Sequence, residues 1–136
     1  MTLCLLAACS DPSPHALGPA WPEYRGDLAR DGHPPAATLT AAGARVLART
    51  WSAHLDGAVD GTPAVDAAKV IVGTSAGSLY ALDRSTGKTI WSKHGVGAIS
   101  SSPAIAGDSV YVTTLTGHTL AFGLERGNLR WDWSGD

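Results

Sequence analysis

Between residues 62 and 94 the hydrophobic positions fall into four short clusters with breakers between them. Pro63-Ala64-Val65-Asp66 is brief and apolar. Lys69-Val70-Ile71-Val72-Gly73-Thr74 is β-branched and nearly continuous. Ser78-Leu79-Tyr80-Ala81-Leu82-Asp83 and Thr89-Ile90-Trp91-Ser92-Lys93-His94 follow. The breakers are Asp66-Ala67-Ala68, Ser75-Ala76-Gly77 and Arg84-Ser85-Thr86-Gly87, all rich in turn-forming residues. Apolar runs this short, with no helical period backed by caps, predict strands covered on both faces. The pattern therefore predicts four antiparallel strands in this stretch.

The same stretch is then repeated. Trp51, Trp91 and Trp131 are spaced by forty residues, and 52–91 aligns with 92–131 without a gap, with thirteen identities in forty positions. The identities include Gly57/Gly97, Pro63/Pro103, Thr74/Thr114, Gly77/Gly117, Gly87/Gly127 and Trp91/Trp131. A strict period of this length is the mark of propeller blades, each a four-stranded sheet stacked face to face on its neighbours. A β-sandwich has no reason to keep such a period. The expected fold is all-β: a partial β-propeller of about two four-stranded antiparallel blades over 46–136. Propellers close with about four to eight blades. Two cannot make a ring, so we expect the chain to be the front portion of a longer protein, in preference to several copies assembling into one ring.

Ala81-Leu82-Asp83-Arg84-Ser85-Thr86-Gly87-Lys88-Thr89-Ile90-Trp91 resembles the repeat signature of PQQ-like β-propellers. Each element has a physical reason. Asp83 is placed to accept backbone N–H groups in the turn that follows it. Gly87 suits a backbone with positive φ. Trp91 offers the largest apolar side chain, with one N–H that needs a partner. In that family this tryptophan docks against the adjacent blade. The resemblance thus implies structural, blade-docking roles for Asp83, Thr86, Gly87, Lys88 and Trp91, and by period for Trp51, Gly127 and Trp131. The second copy departs, because Gly123 replaces Asp83 and Glu125-Arg126-Gly127-Asn128 replaces Ser-Thr-Gly-Lys. Its turn should lack the carboxylate hydrogen bond. Upstream, Trp21-Pro22-Glu23-Tyr24-Arg25-Gly26-Asp27 resembles the segment that leads into the first full blade, and the embedded Arg-Gly-Asp belongs to that segment.

The first nine residues read differently. Met1 to Ala8 are mostly apolar and end in small residues before Cys9, and Leu6-Ala7-Ala8-Cys9 resembles the bacterial lipobox, in which the cysteine thiol is acylated. No Lys or Arg precedes the apolar stretch, and it is shorter than a normal signal core. We read 1–9 as a truncated lipoprotein signal peptide with lipidation at Cys9, and 10–45 as tether and lead-in. This makes the protein an exported lipoprotein, anchored in the membrane through Cys9 and meeting other proteins at the cell envelope. The only other cysteine is Cys4, so no disulfide staples the repeats.

Charge narrows the function classes. A net charge of −2, with no basic cluster, gives no face for nucleic acid. Two functional readings follow from the resemblance. One is a non-catalytic propeller of the cell envelope with a protein-binding or scaffold role, like the outer-membrane assembly lipoprotein with this fold. The alternative is a fragment of a PQQ-dependent quinoprotein dehydrogenase. Such enzymes carry a vicinal Cys–Cys pair and calcium-binding carboxylates. The sequence has no adjacent cysteines, and no acidic cluster with calcium-ligand spacing. No catalytic or metal-binding residue is therefore assigned. No cofactor is expected in this stretch, and nothing in the sequence supports binding of PQQ. Asp56 and Asp60 read as solvated loop residues. His54 and His94, equivalent by period, read as packing or bonding against the next blade. Ser100-Ser101-Ser102 reads as a loop leading into a strand.

Overall fold

In the computed structural model, residues 20–30, 32 and 40–135 are described. Among them are two antiparallel sheets of four strands, each in simple up-and-down order. The first holds β1 (Ala64–Val65), β2 (Lys69–Gly73), β3 (Leu79–Asp83) and β4 (Thr89–Lys93). The second holds β5 (Ala104–Ala106), β6 (Ser109–Thr113), β7 (Thr119–Gly123) and β8 (Leu129–Trp133). This is the expected all-β architecture of two adjacent propeller blades.

The repeat extends to the register. Ile71 faces Ala81 as Tyr111 faces Ala121, and Ala81 faces Trp91 as Ala121 faces Trp131. Both sheets carry the same irregularity, at Ala81/Leu82 and at Ala121/Phe122. Such bulges add local twist, which here falls between the third strand and the fourth. One helical turn, α1 (Ala41–Ala44), has Thr40 as its N-cap, with Thr40 Oγ1 accepting from the Gly43 N–H. The strand pattern gave no hint of it.

The core lies between the sheets. Ile71, Leu79, Ala81 and Trp91 of the first meet Val110, Val112, Leu120 and Phe122 of the second, with Ile99 from the connecting loop fully buried between them. On the opposite face of the first sheet, Val72, Tyr80 and Leu82 are covered by Trp51 and Leu55. The first strands of the two sheets, β1 and β5, approach each other. The lead-in segment pins both. Trp21 and Val65 exchange two backbone hydrogen bonds of 2.7 Å, and the Ile105 N–H donates to the Pro22 carbonyl at 2.7 Å. Within the lead-in, Gly26 packs against the Trp21 ring, Arg25 has φ +63°, and the Asp27 carboxylate accepts from the Arg30 N–H. The Arg-Gly-Asp triplet is thus folded into a tight local turn.

Candidate functional site: the tryptophan sockets and the polar clusters between blades

Two tryptophans sit in equivalent sockets. Trp51 Nε1 donates to the Arg84 carbonyl and Trp91 Nε1 to the Leu124 carbonyl, both at 2.9 Å and both thirty-three residues ahead. Each indole lies over a glycine of the next turn. A Cβ added at Gly87 would fall 2.4 Å from Trp51 Cε3, and one at Gly127 would fall 2.6 Å from Trp91 Cε3. These glycines have φ of +71° and +64°, so the position requires glycine twice over, for conformation and for space. Trp131 occupies the third equivalent position. It is 44% exposed, with the Tyr111 ring 5.9 Å away between centroids.

The turn beneath Trp51 is organised by Asp83. Its Oδ1 accepts from the Ser85 and Thr86 N–H groups at 3.0 and 2.8 Å, and from both hydroxyls at 2.6 and 2.8 Å. The hydroxyls of Ser85 and then Thr86 hold the carboxyl at about 2, well below its ordinary value. Lys88 contributes its backbone, its carbonyl accepting from the Asp83 N–H at 2.7 Å, while the residue stays exposed. The second turn has no such carboxylate. Its backbone bonds persist even so, Gly123 N–H to Asn128 O and Gly127 N–H to Gly123 O, both at 2.8 Å. Asn128 Oδ1 lies where a Gly123 side chain would begin.

Several polar contacts had not been read from the sequence. Asp56 is a hub and not a solvated loop residue: Oδ1 accepts from Thr74 Oγ1 at 2.9 Å and Oδ2 from Ser78 Oγ at 2.5 Å. The Ser78 hydroxyl is the largest influence pulling its ionisation down. The hydrogen bonds of His94 lie on the first sheet: its Nδ1 meets Ser78 Oγ at 2.9 Å and its Nε2 meets Ser92 Oγ at 3.2 Å. His54 is exposed. Lys69, buried in β2, reaches across to Glu125, in the turn between β7 and β8, at 2.7 Å. A lysine opening a β-branched run was the signal for that buried ammonium. Arg130 clamps Asp108 with two bonds of 2.7 and 2.6 Å, which holds the Asp108 carboxyl at about 2. His118 Nδ1 pairs with Asp132 Oδ1 at 2.7 Å. In the serine run, the Ser102 hydroxyl accepts from the Thr62 N–H at 2.9 Å, joining the two repeats.

Among the described residues, no group of three His, Cys, Asp or Glu side chains converges as a cation site. No helix among them is long and apolar enough to cross a membrane. Cys9, the expected lipidation site, lies outside the described residues.

The comparisons with known proteins agree on architecture. A family model described as "Outer membrane protein assembly factor BamB" matches residues 36–136. Among solved structures, BamB from Moraxella catarrhalis is similar at 25% identity and a TM-score of 0.58, over 62% of this chain and 27% of that one. The quinohemoprotein alcohol dehydrogenase ADHIIG from Pseudomonas putida HK5 aligns at 21% identity and a TM-score of 0.75, over 86% of this chain and 19% of the enzyme. At that identity the likeness concerns the fold. The chain spans 27% of the length of the first structure and 19% of the second. No curated protein matches the sequence. Its forty-residue period, its paired four-stranded sheets and the match over 36–136 make this chain a member of the PQQ-like β-propeller family described by the BamB model.

Proposed function

We propose that the protein is a non-catalytic propeller of the bacterial cell envelope, held to the membrane through a lipid on Cys9, and that it works as a protein-binding scaffold. The observation that carries this reading is the use made of its conserved-by-period residues. Trp51, Trp91, Gly87, Gly127 and the Asp83–Thr86 turn lie against neighbouring turns and blades. In this reading they are blade-docking residues, with Lys88 supplying turn backbone and Trp131 facing the next contact. The family match to an assembly factor supports the same choice. A shared fold alone would not, because one fold hosts many functions.

The test uses the complete gene product expressed in a bacterium. Metabolic labelling with a radioactive fatty acid should mark the native protein and fail for Cys9→Ser, and the variant should leave the membrane fraction. The purified protein, incubated with PQQ and calcium, should gain no quinone absorbance and no alcohol-oxidising activity with an artificial electron acceptor. Absence of label in the native protein defeats the anchor. Activity that depends on PQQ defeats the scaffold reading in favour of the quinoprotein dehydrogenase.

A further inference from the structure

The two repeats fill one place on equivalent faces differently. In the first, the space beside the 55–57 loop is filled from within. Leu55 packs on the Val72, Tyr80 and Leu82 cluster, and the Tyr80 ring stands edge-on to His94 at 5.7 Å. The carboxylate there, Asp56, draws hydrogen bonds from Ser78 and Thr74, and the nearby Tyr80 hydroxyl adds to the pull that lowers its ionisation.

Forty residues on, both fillers are gone. Leu55 becomes Gly95 and Tyr80 becomes Leu120. A cleft of about 390 Å³ lies at this position, floored by Val96, Leu120 and Phe122 and edged by His118 and Asp132. That size, and an apolar floor with a few polar groups on the rim, are usual for a small-molecule site. The carboxylate has not been lost with the tyrosine. Asp56 is replaced by Val96, but Asp132 enters from β8 and pairs with His118, the residue in place of Ser78. Only Oδ1 of Asp132 is engaged by His118, and Oδ2 has no hydrogen bond among the described residues. The second repeat thus lacks a phenol ring and keeps an acceptor for a phenol hydroxyl.

We propose that this cleft binds a phenol, the ring lying over Leu120 and Phe122 and the hydroxyl donating to Asp132. The bound ring takes the place that the Tyr80 ring holds in the first repeat, in the cluster with Val72 and Leu82 and edge-on to His94. The shared chemistry admits a free small phenol or a tyrosine side chain on a peptide, and the probes below tell them apart.

The test is a titration of the complete, isotope-labelled protein followed by amide NMR shifts. With p-cresol, saturable shifts should gather at Gly95, Gly97, His118, Leu120 and Asp132. Toluene, which lacks the hydroxyl, should bind about tenfold more weakly, the loss expected for a hydrogen bond to a charged acceptor. Asp132→Ala should bring p-cresol down to the toluene level. Leu120→Tyr, which puts the first repeat's ring back, should abolish binding, and Leu129→Phe, on the exposed edge strand, provides a second block with less risk to folding. Tighter binding of acetyl-Gly-Tyr-Gly-amide than of p-cresol assigns the site to a tyrosine side chain, and the reverse order to a free phenol. The proposal is overturned if neither phenol saturates, if toluene matches p-cresol, or if both blocking variants fold and bind as the parent does.

Discussion

Trp91 rests on Gly127 so closely that the space between them holds no methyl group, and its indole N–H is fixed on the carbonyl of Leu124, the residue directly after the end of β7. Trp51 and Gly87 repeat the relationship. The contact predicts a specific cost. Gly127→Ala must strain a backbone at φ +64° and also displace the indole, so we expect a loss of about 2–4 kcal/mol. Gly107→Ala shares a positive φ, +58°, but has open space around it, and should lose about 1 kcal/mol. Urea unfolding of the two variants measures the difference, and equal losses would remove the steric part of the argument.

The same geometry separates the tryptophans. Trp91 is buried between sheets and Trp131 is 44% exposed. Trp91→Ala should cost about 3–5 kcal/mol, as for a large core side chain, and Trp131→Ala about 1 kcal/mol or less. A cost for Trp131 as large as for Trp91 would mean that its face is covered in solution.

Lys69 and Glu125 give an ordering that simple pair-counting would miss. The ammonium is buried and the carboxylate is largely exposed. Glu125→Gln strands a charge out of water and should destabilise by about 1–2 kcal/mol, discounted because water reaches the carboxylate side. Lys69→Met removes the charge with its desolvation penalty and should be closer to neutral. Thermal unfolding of both variants checks the order, and the reverse order would refute it.

Acid should act through Asp83 and Asp108. Each carboxyl ionises at about 2 in the folded protein, below its ordinary 3.8. A depressed folded value means stabilisation that is complete above about pH 4 and is lost as pH falls through 2. Asp83→Ala and Asp108→Ala should therefore be less stable than the parent at pH 7, with the gap closing towards pH 2. Denaturant titrations across that range test it. A gap that stays constant with pH would assign the effect to packing instead of ionisation.

The strands and their sheet order were legible because the period of forty repeats both the apolar clusters and the turn residues between them. The four strand segments read from the pattern differ from the observed ones by at most one residue at either end. The turn chemistry of Asp83 was legible too, since an aspartate bonding forward needs only local chain. The polar hubs were not. Asp56 lies eighteen and twenty-two residues from its partners Thr74 and Ser78, and Lys69 lies fifty-six from Glu125. Their proximity is created by tertiary packing, a loop laid on the β2–β3 turn for Asp56 and one sheet stacked on the other for Lys69, which no local pattern encodes. The cleft at Leu120 was hidden for a related reason: substitutions between copies look like drift until a neighbour shows what volume was removed.

The strap formed by Trp21 and Pro22 has a mechanical consequence. It holds Val65 and Ile105 at once, on the strands where the two sheets come together. If the chain is tethered ahead of residue 20, tension enters at that junction and is shared between both sheets from the first moment. The outlying strands β4 and β8, where the tryptophan contacts and the cleft are found, then carry no direct load.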